Sequence, residues 1–516
     1  MRKLTIEKLD KGFFPNLDFD EVPAGGSSDC KHVIHRRSDL RPFPGMEVIN
    51  GIKAPFVSGQ GVHYMDVNAG TRRLAVYGTS IYDETAGVLT DITGAVTIGN
   101  GNVVQSVDYQ LGANEFSLFA QGGGAAPFKV SQNGDAAVIA GSPPNLETIG
   151  VYHAAVLGSL KEALYFTPTG DFETWNTTRD VIFYNKDIKC VLDHGPKFAV
   201  LMKDHIGSLQ GFDRLDYVKE ESESPNVGCV GKMAAKNVLI GENDTEVIAT
   251  VSENGIYVID QSFVTRKLLG DNYFQEFNKS QLAKSSMAYW GDENLLFIAM
   301  PFAASTEANY LIIINTRTGA FWPGPDIHGN FIKSLGTMKD TDNNEFVYYQ
   351  DNNGFLYKFN FGINSYHNGT DSENIDYKWK SKTHDLEDLH SFGELNMLAE
   401  AVGDWGINVG IKFGLEKGDG TTGSISFVDS HDTLGVDFIL GASTLGGSQY
   451  VFNTLVGIGG QGRFLEVIIT RQGDEANDLL GSTFILGKSR LGSQAGFRIK
   501  KMEIDLHSHR RGGNDK

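Results

Sequence analysis

Glu246-Val-Ile-Ala-Thr-Val-Ser-Glu-Asn-Gly-Ile-Tyr-Val-Ile-Asp260 is a β-branched run, an Asn254-Gly255 pair and a second apolar run. Glu345-Phe-Val-Tyr-Tyr-Gln-Asp-Asn-Asn-Gly-Phe-Leu-Tyr-Lys-Phe359 repeats that order around Asn353-Gly354. Asn and Gly tolerate positive φ, and the type I′ turn they favour has a twist that matches its flanking strands. Both stretches are therefore predicted as β-hairpins with two-residue Asn-Gly loops.

The segment between them continues in the same manner. Leu295-Leu-Phe-Ile-Ala-Met300 and Tyr310-Leu-Ile-Ile-Ile-Asn315 are short apolar runs, and Thr316-Arg-Thr-Gly319 turns the chain into Ala320-Phe-Trp322. Runs of this length, rich in Ile, Phe and Tyr and fenced by Gly, Asn and Asp, read as strands buried on both faces. Further upstream, Arg73 to Tyr82, Phe116 to Ala120 before Gly122-Gly123-Gly124, and Ala163 to Phe166 before Thr167-Pro-Thr-Gly170 follow the same pattern. Turn glycines at 170, 255, 319 and 354 stand 85, 64 and 35 residues apart, which is no strict repeat. Four-stranded propeller units recur every ~40 to 50 residues, so 85 is close to two of them. The expectation is an all-β protein, a β-propeller of six or seven diverged blades.

The totals agree. The chain has 516 residues with 61 Gly and 50 Phe plus Tyr, and convincing helical periodicity is nearly absent, a balance that favours strands and tight turns. The formal charge of −19 argues against a sequence-reading nucleic-acid binder, which needs a basic footprint to release phosphate counterions. It does not exclude a wall past which DNA slides, because repulsion keeps a polyanion from sticking. Cys30, Cys190 and Cys229 are too few and too scattered for a disulfide framework, which points to folding in a reducing compartment. The first eight residues lack a signal-peptide core, and no apolar stretch reaches ~18 residues, so no membrane insertion is expected.

In domain terms, residues 1–50 read as an extended N-terminal arm, with a Gly25 to Ser28 spacer and a basic cluster from Lys31 to Arg41. That cluster is either a solvated face or a contact with an acidic neighbouring subunit. Residues 51–371 hold the propeller. Residues 372–506 form a C-terminal β-rich, sandwich-like domain, and 507–516 a polar, frayed tail.

Motifs that carry chemistry are thin. Gly457-Ile-Gly-Gly-Gln-Gly462 matches a dinucleotide fingerprint, but the strand-like Arg463 to Thr470 follows where a helix is required, which makes it a flexible β-loop. Asp340-Thr-Asp-Asn-Asn-Glu345 alternates oxygen ligands as calcium loops do, yet lacks their glycine and distal bidentate Glu. His507 and His509 lie in the polar tail. Asp385, Glu387 and Asp388, between His384 and His390, read as a solvated turn. Thr167-Pro-Thr-Gly-Asp-Phe-Glu-Thr-Trp175 partly resembles the Asp-box turn of sialidase-like propellers, with Thr169 where that box has its acid. No catalytic, cofactor-binding or metal-ligating residue is assigned from these patterns.

The order of landmarks resembles the packaged-DNA stabilisation proteins of short-tailed bacteriophages, the tail hub or nozzle proteins that continue the portal channel. The shared features are an extended arm with Leu40-Arg-Pro-Phe-Pro-Gly45, propeller hairpins like Leu74 to Tyr82, and paired strands before a Trp like Leu295 to Trp322. The Gly354-Phe-Leu-Tyr-Lys-Phe359 arm and a basic-aromatic final strand, Phe497 to Leu506, complete them. The Gly25 to Ser28 spacer and Asp404 to Gly462 fall outside the resemblance. It implies a β-propeller in a homohexameric ring beneath the portal or its adaptor, among other tail proteins of the virion. It also implies a conduit that retains double-stranded DNA, passes it non-specifically at infection, and has no enzymatic activity. The alternative is a receptor-binding or sialidase-like carbohydrate-active propeller.

Overall fold

A computed structural model describes residues 2–7, 11–14, 21–36, 39–55, 58–66, 71–213, 215–222, 227–269, 271–324, 331–340, 342–361, 365–367, 372–374, 378–381, 384–402, 405–414, 421–429, 450–471 and 496–508. Six four-stranded antiparallel sheets follow one another over 59–91, 105–138, 148–183, 188–222, 235–267 and 286–323, and a seventh sheet begins at 334. In each of the six, consecutive strands of the chain pair antiparallel, so every sheet is a meander. The first strands of the sheets, from Gly59–Met65 through Ser334–Lys339, lie side by side in order, and the last lies beside the first. The chain is an all-β, seven-bladed β-propeller, and each blade buries both faces against its neighbours.

Blade 7 is closed by the other end of the chain. Its strands Ser334–Lys339, Glu345–Gln350 and Leu356–Asn360 are followed in space by Gly45–Val48, which pairs Asn360 with Gly45 and Tyr357 with Val48. The expected boundaries at residues 50 and 371 are thus crossed: the fourth strand of the seventh sheet comes from the N-terminal segment, and Ser365–His367 and Ser372–Asn374 lie beyond it in the same six-stranded sheet. The remaining N-terminal strands, from Arg2–Glu7 to Asp39–Pro42, join six C-terminal ones in a single eleven-stranded sheet. Leu4 stands opposite Ile504, and Leu40 opposite Ile499. Trp379, Leu465 and Ile469 of this sheet share one core with Trp290 and Trp322 of blade 6 and Phe359 of blade 7.

Several local expectations are corrected. The Asn254-Gly255 hairpin turns one residue earlier, on Glu253-Asn254, with Ser252 opposite Gly255. That register sets Ile256 opposite Val251, both fully buried, and a slip of one residue would flip each strand's side chains to the wrong face. Around Asn353-Gly354 the loop has five residues, since Gln350 pairs with Leu356. The Gly25 to Ser28 spacer runs into a strand, Gly26–Lys31, whose partner Lys378–Ser381 is far away in sequence.

The basic cluster is used within the molecule. Arg36 forks onto both carboxylate oxygens of Glu293 in blade 6, and its guanidinium lies 4.1 Å from the centre of the Phe361 ring. Arg41 is buried. For these two residues, neither a solvated face nor a contact with a neighbouring subunit describes the arrangement. Arg37 lies outside the described residues.

Candidate functional site

The axial wall is built by the seven inner strands, whose alternate side chains face the bore. Across it, Gln105 of blade 2 accepts from the Ile149 N–H of blade 3 and donates to the Val191 carbonyl of blade 4, each at 3.3 Å. A passage that one glutamine can bridge over three blades is too narrow for a duplex whose major groove alone is about 12 Å wide. The acidic total does not reside there either. The inner strands carry Lys189, Lys236 and Lys339 against Asp108 and Asp193. Burial holds the Lys232 ammonium below its ordinary range, where nearby Lys189 adds to the effect and Glu147 opposes it.

Between blades 1 and 2 the inner strands place a hydrogen-bonded chain. His63 Nδ1 is 2.8 Å from Ser106 Oγ, and its Nε2 is 2.7 Å from Asp108 Oδ1 and 2.9 Å from Ser117 Oγ. Burial pushes the Asp108 carboxyl up, but His63 and the hydroxyl of Ser117 outweigh it and hold the group below the usual carboxylate range. The residue types are those of a nucleophile relay. Ser106, however, lies within a strand opposite Phe119, whereas an acyl-transfer nucleophile stands where backbone N–H groups converge on the oxyanion.

The sequence-predicted motifs fall as follows. Thr167–Trp175 lies between the third and fourth strands of blade 3. Thr167 Oγ donates to the Asp171 carbonyl at 2.6 Å and accepts from the Val156 N–H at 3.0 Å, the Trp175 indole N–H donates to the Phe172 carbonyl at 3.1 Å, and Phe172 is buried. Its groups hold the turn together. Asp340 accepts from the N–H groups of Asp342 and Asn344 at 2.9 and 3.0 Å, and Glu345 Oε1 accepts from the Gly291 N–H. Their oxygens face the protein's own backbone. Among the described residues no three His, Cys, Asp or Glu side chains converge as a metal site, and no helix is long and apolar enough to cross a membrane.

Two further expectations change. Gly457–Gly462 is no loop but the middle of the strand Tyr450–Arg471, with Gly457 opposite Glu394 and Gly462 opposite His390. His384, Asp385, Glu387, Asp388 and His390 sit in the strand His384–Val402 rather than on a turn. The final strand, Gly496–Ser508, extends through His507, and His509 lies outside the described residues.

Sequence reasoning missed two features. Asp260, Asp340 and Asp351 each open a five-residue loop in which the aspartate N–H donates to the carbonyl four residues on, while its Oδ1 accepts from the second and fourth N–H groups beyond it. The signal was an Asp at the end of an apolar run, which these turns require because only a short carboxylate reaches back to both amides. The other is a cleft of 710 Å³ between blades 5 and 6. Its lining comes from several strands and loops of two blades, so no contiguous pattern announced it.

No family model matches the chain, and no curated protein matches it in sequence. Among solved structures, virginiamycin B lyase from Staphylococcus aureus is similar over 61% of this chain and 98% of its own, at 11% identity and a TM-score of 0.41. The extracellular domain of BT4673 from B. thetaiotaomicron is similar over 61% of this chain and 40% of its own, at 9% identity and a TM-score of 0.39. PorZ of Porphyromonas gingivalis is similar over 66% and 44%, at 13% identity and a TM-score of 0.36. These are likenesses of fold and carry no chemistry over to this chain, whose class, the seven-bladed propeller, is defined by its own sheets.

Proposed function

We propose that the chain is a structural subunit of a bacteriophage tail, a hub or nozzle protein that assembles into a ring beneath the portal and acts without catalysis. One observation supports this reading most directly. Landmarks of the resemblance that are hundreds of residues apart meet at a single junction. Phe43 of Leu40–Gly45 is buried, with its ring 6.4 Å from Phe297 and 6.3 Å from Phe359. Phe359 pairs with Met46, and Leu40 pairs with Ile499 of the closing strand. A set of short motifs that builds one joint has a shared physical reason to recur in a fixed order.

The conduit in this reading lies between subunits, because the bore within one propeller is bridged by side chains. A net charge of −19 on each copy favours walls that do not hold a polyanion. The test is assembly. The purified full chain, alone and on the portal–adaptor complex, is expected to form closed rings of six by mass measurement and electron microscopy, and a monomer under both conditions would refute the reading.

A further inference from the structure

Two of the three cysteines meet at the joint between blades 4 and 5. Cys190 lies on the inner strand of blade 4, Ile188–His194, where Ile188 pairs with Met202 and Cys190 with Leu201, so that Lys189 is an extra residue in the ladder. A bulge of this kind redirects the side chains that follow it. It sets Cys190 beside Ala199 and Leu201 in the core that blade 4 shares with blade 5, whereas Val191, Val200 and Met202 belong to the core on the other side of the sheet.

Cys229 enters the same core from the segment that carries the chain out of blade 4 and into blade 5. Its N–H donates to the Met202 carbonyl at 2.7 Å, the Val230 N–H donates to the Val251 carbonyl at 3.0 Å, and the Thr250 hydroxyl donates to the Gly228 carbonyl at 3.0 Å. The segment is closely seated: a Cβ on Gly228 would collide with the Met202 carbonyl, and one on Gly231 with that of Ala283. Both thiols are fully buried, and they are hydrogen-bonded to each other. That bond, and then burial, push the Cys190 thiol well above its ordinary range. At Cys229 burial pushes the same way, but chiefly the bond to Cys190 outweighs it and leaves this thiol below its ordinary range. The thiolate is the reactive form of cysteine, so Cys229 is the nucleophile of the pair. Gln105, half-buried at the bore, has its Nε2 3.7 Å from the Cys190 sulfur, so only one side chain separates the pair from the axial passage.

We propose that Cys190 and Cys229 form a modification site, oxidised by hydrogen peroxide to an intramolecular disulfide that stabilises blade 4 once the folded chain leaves a reducing compartment. In a reducing cytosol the pair persists as thiols. The Cys229 thiolate attacks one oxygen of the peroxide, the O–O bond breaks, and the departing hydroxide takes a proton to leave as water, which makes Cys229 a sulfenic acid. The Cys190 sulfur then attacks the Cys229 sulfur; the S–S bond forms as the S–O bond breaks, and the hydroxyl leaves with the Cys190 proton as a second water. In total the two thiols give up two electrons and two protons, and the peroxide is reduced to two waters. The new bond encloses the other three strands of blade 4 in a covalent loop, which restricts the unfolded chain. Cys30 lies in a different core and keeps its thiol. The bond lies within one copy, so it forms whether or not copies assemble.

The test uses the full chain, purified with a reductant, freed of it and treated with a small excess of hydrogen peroxide at neutral pH. Thiols are counted with a maleimide after unfolding in guanidinium, and peptides are mapped without reduction. The untreated chain is expected to show all three thiols and the treated chain one, Cys30, with the peptides of Cys190 and Cys229 joined and lighter by two hydrogen atoms. A thiol reductant is expected to restore all three. The bridged form is expected to melt at least about 2 °C above the reduced form. Cys229→Ser is expected to form no bridge under the same treatment; if that variant fails to fold, the peptide map of the parent decides alone. Three thiols after treatment, a sulfinic or sulfonic acid at either cysteine in place of the bridge, or a bridge to Cys30 or to a second copy would each overturn the proposal. A bridge that leaves the melting temperature unchanged would overturn its stabilising role.

Discussion

Asp351 ends a strand of blade 7 with its side chain fully buried. Its carboxylate accepts from the N–H groups of Asn353 and Phe355 at 2.8 and 2.9 Å and from the Tyr357 hydroxyl at 3.1 Å. Burial nevertheless dominates and raises this carboxyl above its ordinary range. A folded-state value above the unfolded one means the protonated form is the better tolerated inside. The group's contribution to stability is therefore complete below the ordinary carboxylate range and is lost as pH rises through the raised value. Asp351→Asn keeps the shape and an acceptor oxygen but cannot ionise. Urea unfolding of both proteins at about pH 7 and about pH 4 is expected to show the parent gaining on the variant as pH falls; an equal difference at the two pH values would contradict the assignment.

At the scale of elements, closure of the ring depends on a four-residue strand. Gly45–Val48 is the fourth strand of blade 7, its Met46 is buried, and Asn50 fastens its end by donating to the Gly354 carbonyl at 3.1 Å and accepting from the Leu356 N–H at 2.6 Å. Phe43→Ala, just before this strand, is expected to cost ~3 to 5 kcal/mol, the usual penalty for emptying a buried aromatic site. In hydrogen exchange, the amides of 45–48 are expected to lose protection together with those of Leu356–Asn360, and independent fraying of the N-terminal strand would argue against closure. This strand also shows where sequence reading stopped. Hairpins such as Thr245–Ser252 with Gly255–Ile259 were legible because both strands and their turn are contiguous and alternation reports the buried faces. Gly-Met-Glu-Val carries no such alternation, and its partner lies some 300 residues away. The Gly457–Gly462 stretch misled for the converse reason: glycines that usually mark loops sit here within a long paired strand, where pairing over many residues outweighs their backbone entropy. The candidate cleft was illegible on the same ground as the closing strand, since its floor exists only once two blades have packed.

For the whole molecule, the question is how copies carrying −19 each come together at all. Long-range repulsion between them acts over the Debye length, about 30 Å at 0.01 M salt and about 8 Å at 0.15 M. Apolar contacts between neighbouring copies act over a few ångströms and are indifferent to ionic strength. Moderate salt therefore removes the opposing term before it touches the favourable one. Assembly of the parent chain is expected to strengthen as salt rises from about 10 mM to about 150 mM, measured by sedimentation at fixed protein concentration. If attraction between opposite charges on neighbouring copies were the main source of affinity, the trend would reverse, because steering between opposite charges weakens steadily with salt. The direction of this one titration thus separates a ring held by buried apolar surface and guided by charge from a ring held by charge alone.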